Sequence, residues 1–289
     1  MCWFGPTDPI RLDTLRLLLG LTMLLYFGAW WQYAEEWLTP LGFHPTSRTL
    51  WWLPVAPPQL PVGILPWFGI LFFGSIASWT LGITTRWTSW LVLICVVYVT
   101  FVDVLAAYTI NKMYIIAMSV LVCVPHATYW SIQRIAPRLQ SVWPIRILQM
   151  TMILLYFTCG LGKTLFGNWL QNPYVLLAAA QGLYCTDLAA WMLRTFPTEL
   201  WVWMQYLALI FEIGAPLLFG IKRLRPIGLL WGLIFQLMIA LTMHQLIYFS
   251  LQMLTFYILF IDPSVLHKVH RYVKNVVPHF KSLILMKKL

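Results

Sequence analysis

Along this chain the apolar positions do not alternate with polar ones. They run on for long stretches, broken by short clusters of charge, proline and glycine. A helix needs roughly 20 mostly apolar residues to cross the hydrocarbon core of a bilayer. Eight stretches approach that length, at about 15–31, 62–81, 87–107, 113–129, 145–163, 200–219, 226–241 and 246–261. A very short turn separates the last two. The apolar segment 174–184 is too short to cross and reads as a re-entrant or interfacial piece. The expected fold is an all-α polytopic membrane protein, a bundle of about eight transmembrane helices. It covers residues 8–262, with a basic amphipathic tail at 263–289.

Composition agrees. Hydrophobic residues make up 61% of the 289 and charged residues 10%, against about 45–50% and about 25% in soluble domains. The mean hydropathy is +0.77. The net charge of +10 would suggest nucleic acid on a soluble chain, but here its distribution sets orientation. With both termini cytoplasmic, only Arg48, Lys112, Lys163 and Arg194 of the 19 Lys and Arg fall on outer segments. That bias predicts N-in, C-in topology. The tail carries Lys and His between Val and Leu at helical spacing, which suits a helix lying on anionic lipid. The expected partners are the lipid bilayer and other membrane subunits or a substrate-supplying chain, with no nucleic acid. The five cysteines contain no CxxC, so neither a disulfide framework nor a metal site is expected. The first apolar run continues as a full span without a cleavage site, so no removable signal peptide is expected. The absence of a transit segment before it points to a bacterial cytoplasmic membrane.

Two long outer segments, 32–61 and 164–199, are rich in tryptophan, including Trp31, Trp37, Trp51, Trp52, Trp169 and Trp191. Tryptophan at that level usually forms an interfacial belt. Ionisable groups in or beside spans are costly and mark candidate sites. Asp103, Lys112, Lys163 and His244 fall at outer span ends, and Glu212 lies deeper in the sixth span. Each has two readings. Lys163 either snorkels to the interface or sits at the rim of a dry pocket, where it can act as a base. Asp103 pairs with Lys112 across a turn, or both face a shared site. Glu212 bonds a neighbouring helix or serves chemistry. His244 caps a helix end or joins the site. Glu35 and Glu36 read as solvated surface charge. A pocket of Trp, Tyr and Phe on the outer side would suit a lipid-soluble ring such as a quinone.

The fifth stretch narrows this. It contains Arg146, Gln149, Tyr156-Phe157, Gly160-Leu161 and Lys163, followed by Trp169. This resembles the signature Q-x6-YF-x2-GL-x-K-x5–6-W of the HTTM family, the membrane domain shared with vitamin K-dependent gamma-carboxylases. Asp8-Pro9-Ile10-Arg11 with Arg16 and Gly20 resembles the family's first helix. Asn111 opens the fourth span as in many members, and Glu212 with Pro216 and Leu217 resembles the sixth.

The resemblance implies that Lys163 is the base that deprotonates a quinol; Lys112 and His244 are further catalytic candidates from their places at outer span ends. It also implies that Tyr156, Trp169, Asn111 and Glu212 line the quinone or quinol pocket. In the carboxylases the oxidised quinol drives removal of a proton from a peptide Glu, and carbon dioxide adds. The departures are equally specific. Those enzymes carry a large lumenal domain after the membrane part, which this sequence lacks. Lys112 stands where the animal enzymes have His. Full carboxylation by this chain alone is therefore not expected. Three functions remain open: a quinol-using carboxylase- or epoxidase-like enzyme, a non-catalytic structural or accessory subunit of a larger membrane complex, and a maturation factor for a secreted peptide. A transporter is disfavoured, because no interrupted helices occur at corresponding places in two halves.

Overall fold

The computed structural model describes residues 4–44, 57–103, 107–124, 129–133 and 136–286, with side chains as far as Asn275. Cys2, Arg48, Trp51, Trp52, Arg134, Lys287 and Lys288 lie outside the described residues. The helices are α1 (Ile10–Trp30), α2 (Ala34–Leu38), α3 (Leu65–Thr80), α4 (Thr85–Phe101), α5 (Thr109–Val122) and α6 (Trp143–Leu165). They continue with α7 (Val175–Ala180), α8 (Asp187–Thr195), α9 (Thr198–Gly220), α10 (Arg225–Thr242), α11 (Ile247–Tyr257) and α12 (Pro263–Met286).

Local chemistry sets several of these boundaries. The Asp8 carboxylate accepts the Ile10 amide at 2.8 Å and opens α1. Prolines in the first turns of α3, α6 and α10 occupy positions whose N–H has no helical partner. Gly82, at φ +76°, makes the reversal between α3 and α4. Pro216 lies inside α9, where it removes one backbone hydrogen bond.

The all-α membrane architecture is as expected, and the third and fourth of the expected spans are shorter than expected. Among the described residues five segments are long and apolar enough to cross: Ile10–Leu38, Val62–Thr80, Trp143–Leu165, Thr198–Gly220 and Arg225–Thr242. A sixth is counted if α11 and the helix after it form one broken span. The expected spans at 87–107 and 113–129 contract to the apolar helices Thr85–Phe101 and Thr109–Val122. At 1.5 Å per residue, α5 reaches only about 21 Å. The physical reason is local: Val102 and Asp103 already leave the helix, and α5 begins at Thr109. Exposed Trp67, Trp87, Trp90 and Trp203 lie near helix ends rather than mid-helix, as interfacial tryptophans do.

Neighbouring helices alternate in direction. We call the end where α1 begins proximal and the other end distal. Apolar burial gains little between helices already in lipid, so close approach matters more. A Cβ on Gly20 would stand 2.0 Å from the Thr80 hydroxyl, so Gly20 lets α1 and α3 touch. A Cβ on Gly160 would stand 2.9 Å from that of Glu212, so Gly160 sets the α6–α9 approach. The interior is aromatic, with Phe27, Phe72, Trp79, Tyr114, Phe211, Phe219 and Phe256 all buried.

Each end has its own ties. At the proximal end Pro6–Thr7 pairs antiparallel with Gln140–Ser141, and the Arg11 guanidinium donates to the Ile261 carbonyl at 2.8 Å. At the distal end the segment 164–199 folds into a cap. From α9 the fully buried Gln205 side chain donates to the cap's Trp169 and Asn172 carbonyls and accepts the Leu176 amide. Thr186 donates to the Leu241 carbonyl at 2.7 Å and joins the cap to α10. The segment 174–184 thus contains one short helix, α7, packed through Ala180 against Met192 and Trp201.

Candidate functional site

α6 ends at the cap and α9 begins there, so the two run antiparallel. Gly160 lies against Glu212, and Lys163 is three residues closer to the distal end, about one helical turn above. Side chains on a helix lean toward its N-terminus. The Lys163 side chain therefore leans down toward Glu212, and its ammonium meets Glu212 Oε1 at 2.5 Å. Snorkelling is overturned: this lysine points inward. The carboxylate accounts for the difference, since charge pairing in a dry interior outweighs the pull of the interface.

The chain after α6 completes the arrangement. Asn168 takes φ +56°, a left-handed conformation that Asn tolerates. The Trp169 amide returns to the Lys163 carbonyl at 3.4 Å. This reversal places the Trp169 ring 4.8 Å from the Lys163 ammonium, within cation–π range. Gln205 then holds the Trp169 carbonyl from α9.

The two partners are unequally buried. The Lys163 side chain is 29% exposed and that of Glu212 is 5%. Glu212 spends only one oxygen on Lys163; its Oε2 is buried with no partner among the described residues. A buried carboxylate oxygen without a donor is costly.

Deeper in the bundle lies a neutral polar group. The Tyr156 hydroxyl meets that of Tyr257 at 2.8 Å and accepts from Gln236 Nε2 at 2.7 Å. Gln236 is fully buried, and its Oε1 also has no partner among the described residues. Tyr156 stacks edge-on against Phe211, the residue next to Glu212. A ladder of Trp169, Lys163, Glu212, Tyr156 and Gln236 therefore descends from the cap into the bundle.

The structure thus joins Lys163, Glu212 and Trp169 directly, with Tyr156 one step below. The other candidates lie elsewhere. Asn111 is buried and hydrogen-bonds Tyr26 of α1. Lys112 is exposed, on the other side of α5 from buried Asn111 and Met113. His244 is exposed and contacts the cap through its backbone amide, which donates to the Tyr184 carbonyl at 2.6 Å. Asp103 faces His44 rather than forming the expected hairpin with Lys112, with Nδ1 to Oδ2 at 2.9 Å. The second nitrogen of His44 faces the Thr39 carbonyl at 2.7 Å. Glu35 and Glu36 are exposed, as expected.

Gln205, Gln236, Tyr257 and His44 were missed in the sequence. They carry no formal charge at neutral pH, and a reading keyed to charge passes over them. An uncharged amide inside an apolar run was the available signal for both glutamines.

A family model for the HTTM domain matches residues 4–264, nearly the whole chain. The chain belongs to the HTTM domain family. No curated protein and no solved structure matches it. Within this HTTM protein the motif residues Tyr156, Lys163 and Trp169 share one descending site, and Glu212 of α9 completes it.

Proposed function

We propose that this integral membrane protein handles a proton at the Lys163–Glu212 pair, on a quinol admitted from the distal face. The observation that carries the reading is the buried, unpartnered Oε2 of Glu212 beside a partly open lysine. A structural pair would use up its carboxylate, whereas this one keeps an acceptor free for a hydroxyl.

The residues present fit such a ring. Trp169 offers an aromatic face, Lys163 a fixed positive charge and Glu212 a spare acceptor. A quinol, when bound, would supply an acidic ring hydroxyl. Glu212 Oε2 then accepts the proton. Lys163 keeps its ammonium beside the oxygen that loses it, where charge develops in a water-poor setting. Trp169 holds the lysine in place and shields it. This changes the expected division of labour: Lys163 is already paired, so the pair rather than the lysine alone serves as the base. In this reading the eight apolar helices all cross, the distal face is the outer one, and the membrane is a bacterial cytoplasmic membrane.

A second reading has its own support. Lys163 already has a carboxylate and a ring as partners, as it would in a non-catalytic subunit of a larger complex. Exposed Trp67, Trp87 and Trp203 leave apolar faces for neighbouring subunits.

The experiment is purification in mild detergent, followed by mass spectrometry of bound quinones and co-purifying proteins. The wild type is expected to retain a quinone near one per chain, and Glu212→Gln and Lys163→Met to lose it. A stable set of protein subunits without quinone contradicts the proposal and supports the second reading.

A further inference from the structure

α12 follows α11 after a bend of 113° at Ile261–Asp262. If α11 runs along the bundle axis, a turn of 90° would lay α12 flat across the proximal end. The extra angle tips it back toward the bundle rather than away. Asp262 fixes the corner, its carboxylate accepting the Ser264 amide at 2.8 Å. Pro263 then starts the helix at a position that needs no N–H.

At about 100° per residue the side chains of 263–275 fall into three sectors. Pro263, Leu266, His267 and His270 form the first and face the bundle: Leu266 is buried, and His267 Nε2 meets Asp8 Oδ2 at 3.0 Å. The His270 ring lies edge-on to Trp130 at 4.7 Å. Val265, Val269, Tyr272 and Val273 form the second, an exposed apolar stripe in which Tyr272 is 71% exposed. Lys268 and Arg271 form the third, and Lys274 lies at its edge beside His267 and His270; all three are exposed. No Asp or Glu occurs from 263 to the last residue.

That order suits a helix lying in a membrane interface beside its own bundle. One flank packs sideways on protein, the apolar stripe turns down into the acyl boundary, and the basic sector lies at the headgroups. We propose that residues 263–275 of α12 dock on anionic phospholipid headgroups of the membrane that holds the bundle. The anionic partner follows from the charge: three basic side chains without an acidic neighbour have no counter-charge on the helix itself. The contribution of each is about fivefold in association near an anionic surface. The inference is independent of the Lys163–Glu212 reading and survives its failure.

The test is hydrogen–deuterium exchange of the full-length protein in nanodiscs. One set contains phosphatidylcholine alone, the other phosphatidylcholine with phosphatidylglycerol. Amides of 263–275 are expected to exchange more slowly in the anionic nanodiscs, and to lose that protection near 1 M salt, where the Debye length falls to about 3 Å. Lys268→Gln, Arg271→Gln and Lys274→Gln together are expected to remove the difference, about a hundredfold in protection at fivefold per side chain. All three are exposed, so the fold is retained, which unchanged exchange in α1 and α6 verifies. Equal exchange in the two lipids overturns the proposal. Protection that follows protein concentration in neutral detergent also overturns it and identifies a second copy as the occupant.

Discussion

Two buried ion pairs lie at opposite ends of this bundle, and they are built differently. At the proximal end Arg16 and Asp13 sit on the same helix, one turn apart, with Nε 3.7 Å from Oδ1. Arg16 donates to the Trp79 and Thr80 carbonyls at the end of α3 and to the Trp130 carbonyl. Asp13 Oδ2 accepts the Tyr129 amide at 2.7 Å. Both terminal nitrogens of the guanidinium are used, and what they bind is backbone. At the distal end Lys163 and Glu212 come from different helices, touch through one oxygen, and leave the other buried without a partner. The first pair ties loops and helix ends together, a role that Arg suits because its rigid fork reaches several acceptors. The second ties less than it could. Arg16 leaves only its Nε without a hydrogen bond among the described residues and spends both terminal nitrogens on backbone, as a clamp does, whereas the free oxygen of Glu212 lies beside a partly open lysine, where it can hold a ligand.

The contrast can be broken by substitution. The largest effect is expected from Arg16→Ala, which removes the cation beside buried Asp13 and leaves three carbonyls in the interior without their donor. Removing one partner of a buried pair typically costs about 3–5 kcal/mol. A sharp fall in thermal midpoint, or loss of folded protein from the membrane, is the expected result. Should Arg16→Ala melt like the wild type, the proximal pair is not a clamp.

Next is Gly160→Leu, which forces side-chain atoms between α6 and α9. Overpacking of this kind costs about 1–3 kcal/mol, and it separates Lys163 from Glu212. Both the midpoint and ligand retention are expected to fall. A similar loss, about 1–3 kcal/mol for unpaired backbone groups, is expected from Gln205→Leu, but confined to the cap. Exchange should quicken over 169–180 while α1 and α3 stay protected, and a global loss instead would mean that the cap and bundle are one cooperative unit.

The smallest effect concerns the root of α12. Burial, followed by Lys274 and His267, holds the His270 imidazole below its ordinary value of 6.5. The folded state therefore prefers the neutral ring. Its contribution is full above 6.5 and is lost as the pH falls through the lowered value. Histidine NMR should show His270 titrating below 6.5, and a midpoint above 6.5 would reverse the sign.

Much of the fold was legible because membrane spans announce themselves by length and apolarity. Lys163 and Glu212 were legible for the opposite reason, as charges where charge is costly. Their pairing was not, since it depends on Gly160 bringing two helices, 49 residues apart at the ion pair, into contact. The part Arg16 plays was not legible: the sequence places it near the start of the first helix, and only the fold shows the α3 carbonyls closing over it. The shortness of α4 and α5 was also hidden, because apolar residues continue past the helix ends into the connecting loop. Lys112 and His244 showed the limit of reading charge at span ends, since both side chains are exposed and away from the Lys163–Glu212 pair.

The central claim is that Lys163–Glu212 is a site rather than a clamp. It is tested most directly by replacing both residues together, Lys163→Met with Glu212→Leu, and measuring the thermal midpoint and the bound quinone on the same preparation. Well-packed apolar replacements of a buried pair are often neutral or stabilising. The account predicts a midpoint at or above that of the wild type, with the quinone gone. A midpoint that collapses as for Arg16→Ala, or a quinone content equal to that of the wild type, would contradict it.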